Sequence, residues 1–249
     1  MEIVLMGTAC AETGAERDNT YLLLYESRGS TLVDVGGSPL SKLKKLGVPL
    51  DHIQRVVFTH FHIDHIYGFP SLLWGMWLAG RTEPLDVYCS SSEKKWLEDW
   101  IHLIGTKHWP VAFEIFIHPF DWQSPVPLWS GPTSALSVFP GLHGVPAVGV
   151  CYEKDGKVMV YSSDSTVNPH IRTLDHIDLL LHECTTAEDT TDNHSSLQQI
   201  ADGYDWHKID RAVMVHLTDG ENYGEVLGRL PEPVRKKITF GKDLMRIKL

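Results

Sequence analysis

Long apolar runs are missing from this 249-residue chain. No stretch reaches the roughly 20 residues that a membrane-crossing helix needs, so no membrane partner is expected. The opening, Met1-Glu2-Ile3-Val4-Leu5-Met6-Gly7-Thr8-Ala9-Cys10, also lacks the basic flank and extended apolar stretch of a signal peptide. Cysteine is scarce. Cys10, Cys89, Cys151 and Cys184 are far apart and form no Cys-x-x-Cys pair. That excludes a disulfide framework and predicts buried or free thiols in a reducing compartment, hence a cytoplasmic protein. Basic charge is short as well: 22 Lys and Arg against 32 Asp and Glu leave a formal net charge of −10. No Lys/Arg cluster offsets it, so extended nucleic-acid binding is not expected. A metal site could still take an anionic substrate, because the charge of the ion dominates at short range. Repeats, low-complexity tracts and linkers are absent too.

What is present is a regular alternation of β-rich runs with shorter helical segments. Strands are expected at Ile3–Met6, Tyr21–Tyr25, Thr31–Val35, Arg55–Thr59, Leu85–Cys89 and Phe113–Ile117. Further ones follow at Ala135–Phe139, Ala147–Tyr152, Val158–Tyr161, Asp178–Leu181, Arg211–Val215, Lys237–Phe240 and Met245–Leu249. Ser90-Ser91-Ser92-Glu93 has the form of a capping box opening a helix through Trp100. Leu197–Tyr204 and Tyr223–Leu230 read as shorter helices, and Lys154-Asp155-Gly156-Lys157 reads as a hairpin turn. The elements do not segregate into halves, which predicts one α/β domain over residues 1–249. The stretch Trp109–Pro132, with five prolines and three tryptophans, is expected as a surface excursion: a lid, an interface or a loop packed by its own aromatics. Trp74 and Trp77 lie in an apolar helical stretch and are expected in the core.

The chemistry concentrates in Thr59-His60-Phe61-His62-Ile63-Asp64-His65. A β-rich run ends just before it, and Pro70 opens the next helical segment. His60–His65 therefore reads as a strand-to-helix turn, where functional side chains commonly project. Neutral imidazoles with a carboxylate suit zinc and related divalent ions. One turn cannot complete two coordination shells. His143, Asp164 and His216 each lie at or shortly after a strand-like run and could finish them. Asp34, also at a strand end, could orient a ligand from behind.

In this order the residues resemble the metallo-β-lactamase superfamily. The resemblance implies an αββα sandwich, with two mixed sheets and helices outside. It implies two divalent metal ions, zinc by preference with manganese or iron as alternatives. His60, His62 and His143 would hold one, Asp64, His65 and His216 the other, with Asp164 bridging. Histidine at position 62 favours a hydrolytic site over the di-iron redox centres of the same superfamily. Leu181-His182-Glu183-Cys184-Thr185 and His194-Ser195-Ser196 further resemble motifs of the ribonuclease Z branch, near which phosphonate-pathway phosphodiesterases lie. There the glutamate orients the histidine, which faces the scissile phosphate. Those roles fall to Glu183 and His194, with His182 packing behind them.

Departures from that branch narrow the substrate. His143 and Asp164 are only 21 residues apart with a tight hairpin between them, leaving no room for the arm that grips transfer RNA. After His216 the chain reads Leu217-Thr218-Asp219-Gly220-Glu221, acidic where a basic phosphate clamp is expected. Near the N-terminus Cys10 stands alone, which argues against a cysteine-rich structural zinc site. The expectation is a binuclear metal-dependent phosphodiesterase for small or flexible phosphate diesters. A metal-bridging hydroxide would be the nucleophile, and Asp64 would steer its proton. A lactonase or thioesterase on the same fold, and a non-catalytic metal-binding protein, are the alternatives. A homodimer is compatible with the apolar stretch Trp109–Pro132.

Overall fold

The computed structural model describes residues 2–109 and 113–249. The chain forms two compact units: Met1–Gly7, Glu16–Phe120 and Lys242–Lys248 in one, Thr8–Ala15 and Asp121–Gly241 with Leu249 in the other.

The first unit is built on a seven-stranded sheet. Its strands are β1 (Glu2–Gly7), β2 (Tyr21–Tyr25), β3 (Ser30–Val33), β4 (Ile53–Val57), β5 (Leu85–Ser90), β6 (Ile115–Phe120) and β14 (Met245–Lys248), in the order β14-β1-β2-β3-β4-β5-β6. The β14-to-β3 half is antiparallel and the β3-to-β6 half parallel. Parallel strands are buried on both faces and read as continuous apolar runs. Val56, Val57, Leu85 and Val87 fit that pattern and are fully buried. The helix Phe69–Leu78 packs Phe69, Leu72, Leu73 and Met76 into this core, and Pro70 sits in its first turn as expected. Trp74 is a correction: it is 42% exposed, facing outward against Trp77 and Trp109. Arg81, by contrast, is almost wholly buried. Its guanidinium donates to the carbonyls of Leu50, Glu83 and Pro84, which is why the charge can be there at all.

The second unit repeats the plan. Its strands are β7 (Val126–Ser130), β8 (Ser134–Pro140), β9 (Val148–Lys154), β10 (Lys157–Tyr161), β11 (Leu179–Glu183), β12 (Ala212–Val215) and β13 (Ile238–Phe240), in the order β13-β12-β11-β10-β9-β8-β7. Here β10 to β13 run parallel and β7 to β10 antiparallel. The β9–β10 turn is the expected hairpin: Asp155 and Gly156 both have positive φ, 51° and 77°, as a tight turn between twisted strands demands. The helices Leu197–Gly203 and Tyr223–Arg229 fall where the sequence placed them.

Two local expectations fail for physical reasons. Ser90 does not open a helix. It ends β5, its hydroxyl is taken by Ser92, and the helix Lys94–Leu103 starts without a side-chain cap. The true capping box is Ser196 with Gln199. Of the proline-rich stretch, residues 110–112 lie outside the described residues, and much of the rest is β6 and β7. Both are edge strands, where Pro119 and Pro127 cost the sheet little hydrogen bonding.

Candidate metal and catalytic site

In the first unit the ligand-type residues follow the carboxyl ends of two adjacent parallel strands. Asp34 directly follows β3, and His60 lies three residues past β4. Asp34 has φ of 64°, a left-handed conformation that aspartate tolerates better than most residues. This kink turns its fully buried carboxylate back, where Oδ1 accepts the Thr59 N–H at 2.8 Å and Oδ2 the Thr59 hydroxyl at 2.8 Å. Oδ2 also lies 2.9 Å from Nδ1 of His65. Burial pushes the Asp34 carboxyl up, while the His65 ring and the two Thr59 donors pull it back. Gly36 is required next: a Cβ there would fall 1.8 Å from the Asp64 carbonyl oxygen. The loop after β3 can thus press on the ligand turn, and the Val35 N–H bonds the His65 carbonyl at 2.8 Å.

All four residues of the His60–His65 motif come together. Nε2 of His60 lies 3.2 Å from Nδ1 of His62, and the His60 and His65 rings have centroids 4.1 Å apart. Nε2 of His65 faces Oδ2 of Asp64 at 3.3 Å. Because Nδ1 of His65 is committed as a donor to Asp34, that Nε2 is an acceptor facing a second acceptor. Such a pair is favourable when a cation lies between.

The second unit repeats this arrangement with other residues. Asp164 lies three residues beyond β10, Glu183 ends β11 and His216 follows β12, again at carboxyl ends of adjacent parallel strands. His216 has φ of 55°, uncommon for a bulky residue and the kind of strain that collects at functional sites. Its Nε2 faces Oδ1 of Asp164 at 3.4 Å, and its Nδ1 lies 2.9 Å from the Thr185 hydroxyl. The Glu183 carboxylate is fully buried. Its Oε1 accepts the Ser195 N–H at 3.0 Å and lies 3.0 Å from Nδ1 of His194. Its Oε2 accepts the Thr185 N–H at 3.1 Å and the Thr185 hydroxyl at 3.0 Å. His143 joins the group through a ring contact with His194, centroids 5.0 Å apart, and its Nδ1 is held 2.9 Å from the Asn193 carbonyl. Ligand atoms of Glu183, His194 and His216 lie within 4.8 Å of one another.

In both units the histidine Nδ1 atoms are engaged by protein groups, at His60, His65, His143 and His216. Holding one ring nitrogen so that the other can bind is the usual support of metal-ligating histidine. Imidazole nitrogens and carboxylate oxygens in this arrangement are a donor set for divalent metal ions.

Behind the motifs sit residues with bracing roles. His182 is fully buried between the Tyr204 hydroxyl, 2.8 Å from its Nε2, and the Glu183 carbonyl. Burial lowers its tendency to ionise, in keeping with a packing role. The Tyr223 hydroxyl receives the Thr218 N–H at 3.0 Å and donates to the Cys184 carbonyl at 2.8 Å, so it braces the Glu183–Thr185 turn from behind. Two partners, Thr59 and Thr185, lie inside the quoted motifs, but the sequence assigns neither a role. A threonine beside a β-rich run indicates only strand propensity. A third group, His176, Asp178 and Asp210, also brings ligand atoms within 4.8 Å, but the Lys157 ammonium already occupies Asp178 Oδ1 at 2.6 Å.

Comparison with known proteins agrees with this geometry. The chain is 27% identical over 157 residues to ribonuclease Z of Pyrococcus horikoshii, a match covering 63% of this chain and 49% of that protein. It thus spans about half the length of that curated relative. Among solved structures, human tRNase Z, short form, superposes with a TM-score of 0.79 at 20% identity, covering 100% of this chain and 99% of the other. A diphosphatase of the PhnP family gives 0.75 at 14% identity, covering 100% and 97%. At such identities these structures establish the shared fold. The family of the Anti-Pycsar protein Apyc1 matches residues 1–230. With the family model matched over residues 1–230, and two mixed seven-stranded sheets in the fold shared with tRNase Z and the PhnP-family diphosphatase, the chain belongs to the Anti-Pycsar protein Apyc1 family.

Proposed function

We propose that this protein is a binuclear metal-dependent phosphodiesterase acting on small or flexible phosphate diesters, with the two units forming one metallo-β-lactamase domain. His60, His62 and His143 would hold one ion and Asp64, His65 and His216 the other, with Asp164 available to both. The ions, zinc by preference, would lower the pKa of a shared water and neutralise charge growing on the phosphate oxygens. The observation that carries the phosphate reading is the buried Glu183 carboxylate with His194 Nδ1 against its Oε1 at 3.0 Å. A carboxylate so placed holds His194 in the tautomer with its proton on Nδ1 and stabilises the imidazolium. As the imidazolium, with Nδ1–H held by Glu183, His194 carries a second proton on Nε2 and gives that one to the leaving alkoxide. Asp64 takes the proton released by the attacking water. Lactone or thioester hydrolysis gives the Glu183–His194 pair no comparable task. The names of the relatives, ribonuclease Z, tRNase Z and a PhnP-family diphosphatase, support phosphoester chemistry.

A small substrate is favoured by the β9–β10 hairpin, which fills the interval between His143 and Asp164 without an arm. The net charge of −10 weighs against an extended polyanion. The test is a panel of a chromogenic phosphodiester, a lactone and a thioester with zinc- or manganese-loaded protein. Diester turnover that depends on His194 supports the reading. Lactone or thioester turnover without diester turnover overturns it.

A further inference from the structure

Each unit contains one fully buried carboxylate that holds two histidines, and in each the link to one of them passes through a threonine hydroxyl. In the first, Asp34 Oδ2 lies 2.9 Å from His65 Nδ1 and 2.8 Å from Thr59 Oγ1, and Thr59 Oγ1 lies 3.1 Å from His60 Nδ1. In the second, Glu183 Oε1 lies 3.0 Å from His194 Nδ1, Oε2 lies 3.0 Å from Thr185 Oγ1, and Thr185 Oγ1 lies 2.9 Å from His216 Nδ1. A threonine hydroxyl has one hydrogen to give and lone pairs to receive. The carboxylate oxygen only accepts, so the hydroxyl hydrogen points at the carboxylate. The same oxygen must then receive a hydrogen from the histidine. The proton positions are assigned from these donor and acceptor roles.

We infer that Thr59 and Thr185 are tautomer-setting positioning residues, each committing a histidine, His60 or His216, to carry its proton on Nδ1 and its lone pair on Nε2. The direct carboxylate contacts commit His65 and His194 to a proton on Nδ1, which leaves Nε2 of His194 open to the second proton of the imidazolium. Hydroxyl relays thereby extend each carboxylate's reach from one ring to two. In the second unit the relay also joins the proposed ligand His216 to the proposed proton donor His194 through one carboxylate, so a rotation of Glu183 disturbs both. The metal-ligand part of this inference rests on the proposed function; the tautomers themselves rest on hydrogen-bond geometry alone.

The experiment is long-range proton–nitrogen NMR on full-length, ¹⁵N-histidine-labelled protein, metal-free and zinc-loaded, with zinc affinity from chelator competition and kcat and KM on a chromogenic phosphodiester. Wild type is expected to show a protonated Nδ1 at His60, His65, His194 and His216 even without zinc, with Nε2 unprotonated at His60 and His216. Nε2–H at His60 or His216 in the wild type overturns the inference without any variant. Thr185→Val, which keeps shape and removes the hydroxyl, is expected to release the His216 tautomer, weaken zinc binding about 10–100-fold and lower kcat more than it changes KM. Thr185→Ser is expected to restore all three. Thr59→Val and Thr59→Ser make the same comparison at His60. Unchanged tautomer and zinc affinity in both valine variants overturn the inference. A wild type with the expected tautomers but no diester turnover would refute the proposed function and leave the threonine assignment standing.

Discussion

The imidazole of His216 lies nearly flat against that of His194, with ring centroids 5.4 Å apart and planes 14° from parallel. A proposed metal ligand and a proposed proton donor thus share one face. Their Nδ1 atoms are held from the same carboxylate, directly for His194 and through Thr185 for His216. Because the attachments differ, the two functions can be separated by mutation.

His194→Ala is expected to lower kcat by about 10²–10⁴, the usual worth of a positioned general acid, with metal content unchanged. Turnover of a chromogenic diester beside elemental analysis of the same preparation checks it. Undiminished turnover contradicts the assigned role.

Asp34→Asn isolates charge from backbone effects, because asparagine also tolerates the φ of 64° found there. The amide can receive only part of what Asp34 receives from Thr59 and His65. A buried donor left unsatisfied costs about 1–3 kcal/mol. Lower stability in denaturant and metal affinity weakened about 10–100-fold are the expected results. Unchanged metal affinity would remove Asp34 from the supporting shell.

Gly36→Ala would drive a Cβ to 1.8 Å from the Asp64 carbonyl oxygen, a backbone atom that cannot rotate away. The loop after β3 must then part from the ligand turn. Protein that still folds should lose metal binding well beyond what Gly→Ala costs at an unhindered site. The same substitution at Gly224, where a Cβ meets nothing within 4 Å, is the control.

Removing metal should lower the melting temperature. A ligand that binds only the folded state at 100 times its Kd stabilises by about 2.7 kcal/mol. Scans after chelation and after zinc repletion should differ reversibly. Coincident curves would mean that no ion is held.

Asp178 supplies a pH dependence away from the site. Burial opposes its ionisation, but the Lys157 ammonium and the Val158 N–H outweigh burial and hold the carboxyl below the usual carboxylate range. A depressed folded value means that the unfolded chain takes up the proton first as pH falls. The stabilisation is therefore present above about pH 4, the ordinary aspartate value, and fades as pH drops through the folded one. Wild type should exceed Asp178→Asn in urea midpoint at neutral pH, and the gap should close in acid. A gap that stays constant with pH would refute the ion-pair account.

Much of the site is legible in residue type and spacing. The His60–His65 cluster stands out on both counts, and His143, Asp164 and His216 stand out by their places at the ends of β-rich runs. The Asp155-Gly156 hairpin is equally plain, because few residues accept positive φ at two successive positions. Ser90 misleads, since a serine three residues before a glutamate fits a capping box as well as the end of a strand. The strand β7 stays hidden because Pro127 argues against a strand, and only its place at the sheet edge removes the objection.

The amino-acid order by itself determined the kinds of donors, their sequence and the alternation of strands and helices, since these depend on side-chain chemistry and local periodicity. Which atoms face which was decided by tertiary structure alone. The left-handed turns at Asp34 and His216, and the threonine hydroxyls at 59 and 185, acquire meaning only once adjacent parallel strands bring their carboxyl ends side by side. The physical reason is directionality: a hydrogen bond is decided within a few tenths of an ångström, and residues dozens apart in the chain reach that precision only through the packing of the sheets that carry them.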